Sequence, residues 1–201
     1  IHGDKGLGVT LHTIDGLPPA GLCGAGAVSL LAQLRRTGLI DESGSLTRGP
    51  NPLIDWSSLP ARVVLGPADS DNRIVYVTQV DIRQLQLSKA AICAAILMLL
   101  HESGVGERKV SRVIITGNFG AALDVQDAVD IGMIPHLQHA EYVVRTDAAL
   151  TGATRLLLES GLREQAARLA RSVRYLELMD NPQFDLLLAR AQQFRRFSPD
   201  Q

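Results

Sequence analysis

Four short segments hold the residues best suited to chemistry. In GLCGAGAVSLL, Gly21, Gly24 and Gly26 lead into a stretch with helical apolar spacing. Backbone N–H groups at a helix start, on residues without a Cβ, can approach an anion closely. Small residues there equally suit a tight helix–strand contact. The segment lacks the Gly-Lys-Ser/Thr ending of a P-loop, which excludes that motif. In VIITGNFGAALD, an apolar strand feeds Gly117-Asn118-Phe119-Gly120 and then a helix. Ligands of open α/β sheets bind at the carboxyl ends of strands, where such turns sit. Gly117 and Gly120 would let the backbone lie flat against an adenine or ribose, or simply make a strand-to-helix turn. In DIRQLQLSKAAI, Gln86 and Lys89 share a helix face with Ile82 and Leu85. Lys89 is either a cation held over a nucleotide or a lysine snorkelling beside an apolar stripe. In RTDAALTGATRLL, Asp147 is placed to N-cap a helix whose Ala149, Gly152 and Ala153 permit close packing on a sheet.

Other chemistries find less support. His136 and His139 are near neighbours, but a metal site would need a third ligand that the sequence does not supply. Asp124, Asp127 and Asp130 recur at helical spacing and read as a solvated face. Cys23 and Cys93 form no Cys-x-x-Cys pair, so these residues offer no iron–sulfur or zinc ligand set. Both read as buried small hydrophobes in a reducing compartment, the cytoplasm. With 20 Lys and Arg against 21 Asp and Glu, the net charge of -1 leaves no electrostatic footprint for nucleic acid. The apolar run Ala90 to Leu100 is too short to span a bilayer and predicts a buried helix, not a membrane segment.

The elements that must position these residues follow from periodicity and punctuation. Val9 to Ile14 alternates as a strand, and a helix spans Gly24 to about Thr37, stopped by Gly38. Residues 41–58, rich in Ser, Gly, Pro and Asn, form a long surface loop. Arg62 to Leu65 and Ile74 to Thr78 predict a hairpin turning at Pro67 to Asn72. Asp81 is a good N-cap for the longest helix, Ile82 to about Glu102. Arg112 to Thr116 predicts a buried strand, followed by a helix from Ala121 to Ile131 and a strand from Glu141 to Thr146. Helices at Ala148 to Ser160 and Arg163 to Ser172, a short strand at Arg174 to Glu177 and a helix from Pro182 to Phe194 complete the chain. Strands alternating with helices predict an α/β fold, a mixed sheet flanked by helices. The opening IHGDKGLGVTLHTIDG reads as mid-domain sequence, so the 201 residues are expected to be part of a longer protein.

In order and spacing together, the four segments resemble the reductive activators of corrinoid-dependent methyltransferases, over about Gly21 to Phe197. GLCGAG and a helix ending in TGLID look like that family's Gly-Ile-Cys-Gly-Ser-Gly motif. DIRQLQLSKAAI, VIITGNFG with DIGMIP after it, and DAALTGA match the remaining blocks. The resemblance implies that residues 1–201 are the carboxy-terminal lobe of an actin-like, ribonuclease H-like ATPase (ASKHA) region. It implies a parent protein whose amino-terminal ferredoxin-like domain holds a 2Fe-2S cluster. Such a protein uses ATP with Mg²⁺ to drive one-electron reduction of a partner corrinoid protein from cob(II)alamin to cob(I)alamin, for methyl transfer.

Residue by residue, the resemblance matches Gly117, Asn118, Phe119 and Gly120 to the adenosine motif of the superfamily, and Gly24 and Gly26 to the family's glycine pair. It places Gln86 and Lys89 on the helix that supplies adenine and ribose contacts in heat-shock chaperone ATPases. Ala25 replaces the usual Ser, Asp147 stands where Asn is common, and Cys93-Ala94-Ala95 replaces a glycine-containing stretch. The aspartate–glycine phosphate hairpins and a Gly-Pro-Ala-Phe-Glu-Gly block are missing, so the chain is expected to hold half a nucleotide cleft. An exposed strand edge would then offer a route to a homodimer. Another actin-like kinase or metalloenzyme activator, or a docking module with the same shape, would share these features.

Overall fold

The computed structural model describes residues 2–3, 9–66, 74–179 and 181–198. A two-stranded antiparallel ribbon opens it, β1 (His2–Gly3) with β2 (Val9–Thr10). The alternation predicted up to Ile14 ends early, because a 3-10 turn occupies Ile14–Gly16. Helix α1 spans Gly24–Arg36 and buries Val28, Leu30, Leu31 and Leu34. Thr37 caps its end and Gly38 leaves it in the left-handed region, at φ 73°.

Residues 41–58 are tied down at several points. Ile40 bridges to Leu46, and the Asp41 carboxylate accepts from Ser43 Oγ at 2.6 Å and Ser45 N at 3.0 Å. The segment also supplies a strand, β3 (Ile54–Asp55), the edge of an antiparallel sheet ordered β3-β4-β5 with β4 at Arg62–Val64 and β5 at Tyr76–Thr78. The pairing of β4 with β5 matches the predicted hairpin; its turn lies outside the described residues.

Helix α2, Gln79–Ser103, is the longest element. Thr78 is its N-cap and Asp81 sits three residues in, closing a capping box in which each side chain accepts from the other's backbone N–H. Asp81 therefore caps from inside the helix and not from the cap position. By length and composition alone α2 could cross a membrane, but it buries Ile82, Ala90, Cys93 and Met98 within the fold.

The second half is built on two parallel strands, β6 (Arg112–Thr116) and β7 (Glu141–Arg145), in register from Arg112↔Glu141 to Thr116↔Arg145. β6 is not the buried strand its VIIT run predicts. Ile114 is 57 % exposed, because it shares with Arg112 and Thr116 the open face of the strand, while Val113 and Ile115 on the other face are half-buried. After β6 the expected single helix is two, α3 (Gly117–Ala122) and α4 (Val125–Asp130). Leu123 is extended, and the Asp124 carboxylate restarts the helix by accepting from Asp127 N at 2.9 Å.

The three aspartates are therefore not a solvated face. Asp124 caps α4, Asp127 is buried against Arg36 at 2.6 Å, and Asp130 holds Arg36 and Arg196. Helices α5 (Ala148–Leu158) and α6 (Ser160–Ser172) pack on each other. Asp147 stands at the N-cap of α5 with φ 55° and no side-chain cap bond, contrary to its expected role. The strand expected at Arg174 to Glu177 does not form. Tyr175 points outward, and Glu177 instead accepts from the N–H groups of Leu178 and Met179. Helix α7 (Pro182–Ala191) lies along α2, and residues 192–198 run on across the domain.

Candidate functional site

The parallel strands end together at Thr116 and Arg145, and everything the sequence singled out around residues 117–120 gathers at that edge. Gly117 takes φ 89°, a left-handed conformation in which a side chain would be strained, and so turns the chain out of β6. Asn118 is exposed and Phe119 is 46 % exposed. Gly120 is buried, and a Cβ there would stand 2.7 Å from Ile115 Cγ2, so only glycine lets α3 fold back onto its own strand. α3 also packs against β7 and α1.

The start of α1 completes the edge. Phe119 rests on Gly24, and Ala122 and Gly26 line a shared cavity of about 250 Å³ with His12, Thr13, Cys23 and Ser29. Cys23 is exposed, not buried as expected. It is the N-cap of α1, and its Sγ accepts from Gly26 N at 3.3 Å. That amide is thus already engaged. Among the predicted residues, Gly24 meets Phe119 of the 117–120 turn, Gly120 is buried beneath that turn, and Gly26 lines the neighbouring cavity. His12, Thr13 and Ser29 were not anticipated, since only the fold brings them to the glycines.

Gln86 and Lys89, expected over a nucleotide, lie apart from this edge. Both are buried, at 5 % and 3 % exposure. Gln86 Nε2 donates to Ser43 O at 2.9 Å and Gln192 O at 2.8 Å. Lys89 Nζ donates to Ala191 O at 2.6 Å and to Gln193 O, and stands 4.9 Å from the centre of the Phe194 ring. The physical reason is that α7 and the following residues cover this face of α2. Their carbonyls, left over where α7 ends, need donors. Burial pushes the Lys89 ammonium down to about 7 and the neighbouring Cys93 thiol up to about 11. Gln86 and Lys89 thus fasten the carboxy-terminal strap.

Among the described residues no group of three His, Cys, Asp or Glu side chains could hold a metal ion. The two cysteines, one exposed and one buried, do not fit a 2Fe-2S cluster. At the glycine edge a left-handed glycine, an exposed Asn and a half-exposed aromatic ring stand at the carboxyl ends of parallel strands, where ligands of open α/β sheets bind.

Comparison with known proteins gives consistent answers. Residues 2–199 match the family described as the C-terminal domain of RACo, the ASKHA domain. The corrinoid activation enzyme RamQ of Eubacterium limosum is 27 % identical over 186 residues, which are 88 % of this chain and 31 % of that protein. The Co(II) methylated amine-specific corrinoid protein reductase of Methanosarcina barkeri is 26 % identical over 165 residues, 82 % of this chain and 27 % of that protein. A solved reductive activator for a corrinoid, iron–sulfur protein superposes with a TM-score of 0.78 at 33 % identity, over 90 % of this chain and 30 % of its own. The chain therefore spans less than a third of the length of these relatives.

Proposed function

We propose, for a chain that belongs to the RACo C-terminal ASKHA-domain family, that it is the nucleotide-binding lobe of a protein that reductively activates a corrinoid partner. In this reading ATP, with its Mg²⁺, lies along the glycine edge formed by Gly117, Asn118, Phe119, Gly120 and the start of α1. The observation that carries it is the juxtaposition of the left-handed Gly117 turn with Gly24 at the carboxyl ends of two parallel strands. The chemistry on cobalt is the gain of one electron, from cob(II)alamin to cob(I)alamin. The electron comes from a low-potential donor outside these 201 residues. This lobe supplies a conformational change that depends on which nucleotide is bound, and so shifts the population of states competent for transfer.

The test is spectroscopic. The polypeptide that carries this chain is mixed with a cob(II)alamin-loaded corrinoid protein and a low-potential reductant, with or without Mg-ATP. Cob(I)alamin absorbance is expected to grow only with ATP. Gly120→Val, which drives a side chain into Ile115 and lifts α3, is expected to lower that rate at least about tenfold, equivalent to ~1.4 kcal/mol. Equal cobalt reduction without ATP would overturn the reading.

A further inference from the structure

Gly24 and Phe119 belong to different motifs, yet the ring of one rests on the backbone of the other. A Cβ at Gly24 would lie 2.9 Å from Phe119 Cε2 and 3.2 Å from Cδ2, too close for both to stay in place. The neighbouring glycine differs. A Cβ at Gly26 would meet only the side chains of Leu22 and Cys23, at 3.1 and 3.4 Å, both from the same stretch of chain. The glycine at 24 is thus required by a long-range contact and the one at 26 is not. Three restraints hold the 117–120 turn: the left-handed backbone at Gly117, the fit of Gly120 on Ile115, and the ring of Phe119 on Gly24. The first two lie within one strand–turn–helix unit. The third alone of these ties the turn to another element.

We propose that Phe119 is a positioning residue, whose ring, seated in the notch that Gly24 leaves, sets the turn 117–120 at a fixed angle to the start of α1. The two glycine motifs then present one rigid surface, although more than ninety positions separate them in the chain. Gly24 acts as the seat for this ring, not as a contact to an anion. The consequence for ligand affinity rests on the nucleotide reading above; the geometry does not.

The ring is half exposed, so a methyl group at position 24 can push it outward without crushing α1. Alanine is also the better helix residue, which favours a folded variant. The experiment compares Gly24→Ala, Phe119→Ala and the double variant. It measures hydrogen exchange of amides 117–122 without nucleotide, and Mg-ADP affinity in the polypeptide that carries this chain. Gly24→Ala is expected to speed exchange and weaken Mg-ADP by about tenfold each. The double variant is expected to match Phe119→Ala alone, because without the ring the methyl group has nothing to displace. Effects that multiply independently, or unchanged exchange in Gly24→Ala, would overturn the proposal. Faster exchange with unaltered Mg-ADP affinity would uphold the ring's hold on the turn and count against a nucleotide at this edge. If the unaltered protein binds no Mg-ADP, the nucleotide reading fails, and the exchange data still decide whether the ring sets the turn.

Discussion

Phe194→Ala is expected to destabilise the domain by ~3–5 kcal/mol, the range for removing a buried aromatic side chain. Phe194 is fully buried. Its ring lies under the Lys89 ammonium and closes over Gly44, whose left-handed backbone at φ 79° leaves no room for a Cβ beside the ring. Its backbone is equally engaged. Phe194 N donates to Glu42 O at 2.8 Å, and Phe194 O accepts from Arg35 Nε at 2.9 Å. One residue therefore fastens the end of the chain to α1, α2 and the 41–58 segment together. The truncation leaves a cavity between elements that cannot collapse without breaking those bonds. Equilibrium unfolding in urea measures the loss, and a cost below ~1.5 kcal/mol would show that the strap is only loosely held.

Lys89→Ala is expected to cost ~2–4 kcal/mol, since it leaves the carbonyls of Ala191 and Gln193 buried without their donor and opens a hole beside Phe194. Lys89→Met keeps most of the volume and is expected to lose less. The pair also yields a pH signature. Burial lowers the folded-state pKa of Lys89 from 10.5 to about 7. Between those values the unfolded chain holds a proton that the folded chain has released. Stability contributed at this site therefore rises with pH from about 7 to about 10.5, with a slope of up to ~1.4 kcal/mol per pH unit. It is flat below and above that window. The difference in unfolding free energy between the unaltered protein and Lys89→Met should show this rise. A pH-independent difference would mean that Lys89 stays charged throughout.

Local elements were legible wherever the signal is local. α1 begins at Gly24 and stops before Gly38 as its caps dictate, and β6 and β7 fall where β-branched runs end in turn residues. The order and spacing of the four segments pointed to the family whose model matches residues 2–199. What escaped was set by partners far away in sequence. Gln86 and Lys89 share a face with apolar residues whether that face meets a ligand or a helix. Only α7, about a hundred positions later, decides between them. Asp124, Asp127 and Asp130 follow helical spacing, yet a helix break and the arginines of α1 and the strap give each a separate task. The short strand at residues 174–177 failed for a related reason: β-propensity forms a strand only where another edge can receive it. Gly24 shows the opposite case: its sequence suited either an anion or a tight packing contact, and a Cβ there would meet the Phe119 ring at 2.9 Å.

The most direct test of the central claim, that a nucleotide binds along the glycine edge, is a hydrogen-exchange footprint of the polypeptide that carries this chain, with and without Mg-ADP. Protection is expected at residues 117–120 and around the start of α1, while the joint of Gln86 and Lys89 with residues 191–197 stays unchanged. Protection confined to that joint, with residues 117–120 unaffected, would contradict the account and return the nucleotide to α2.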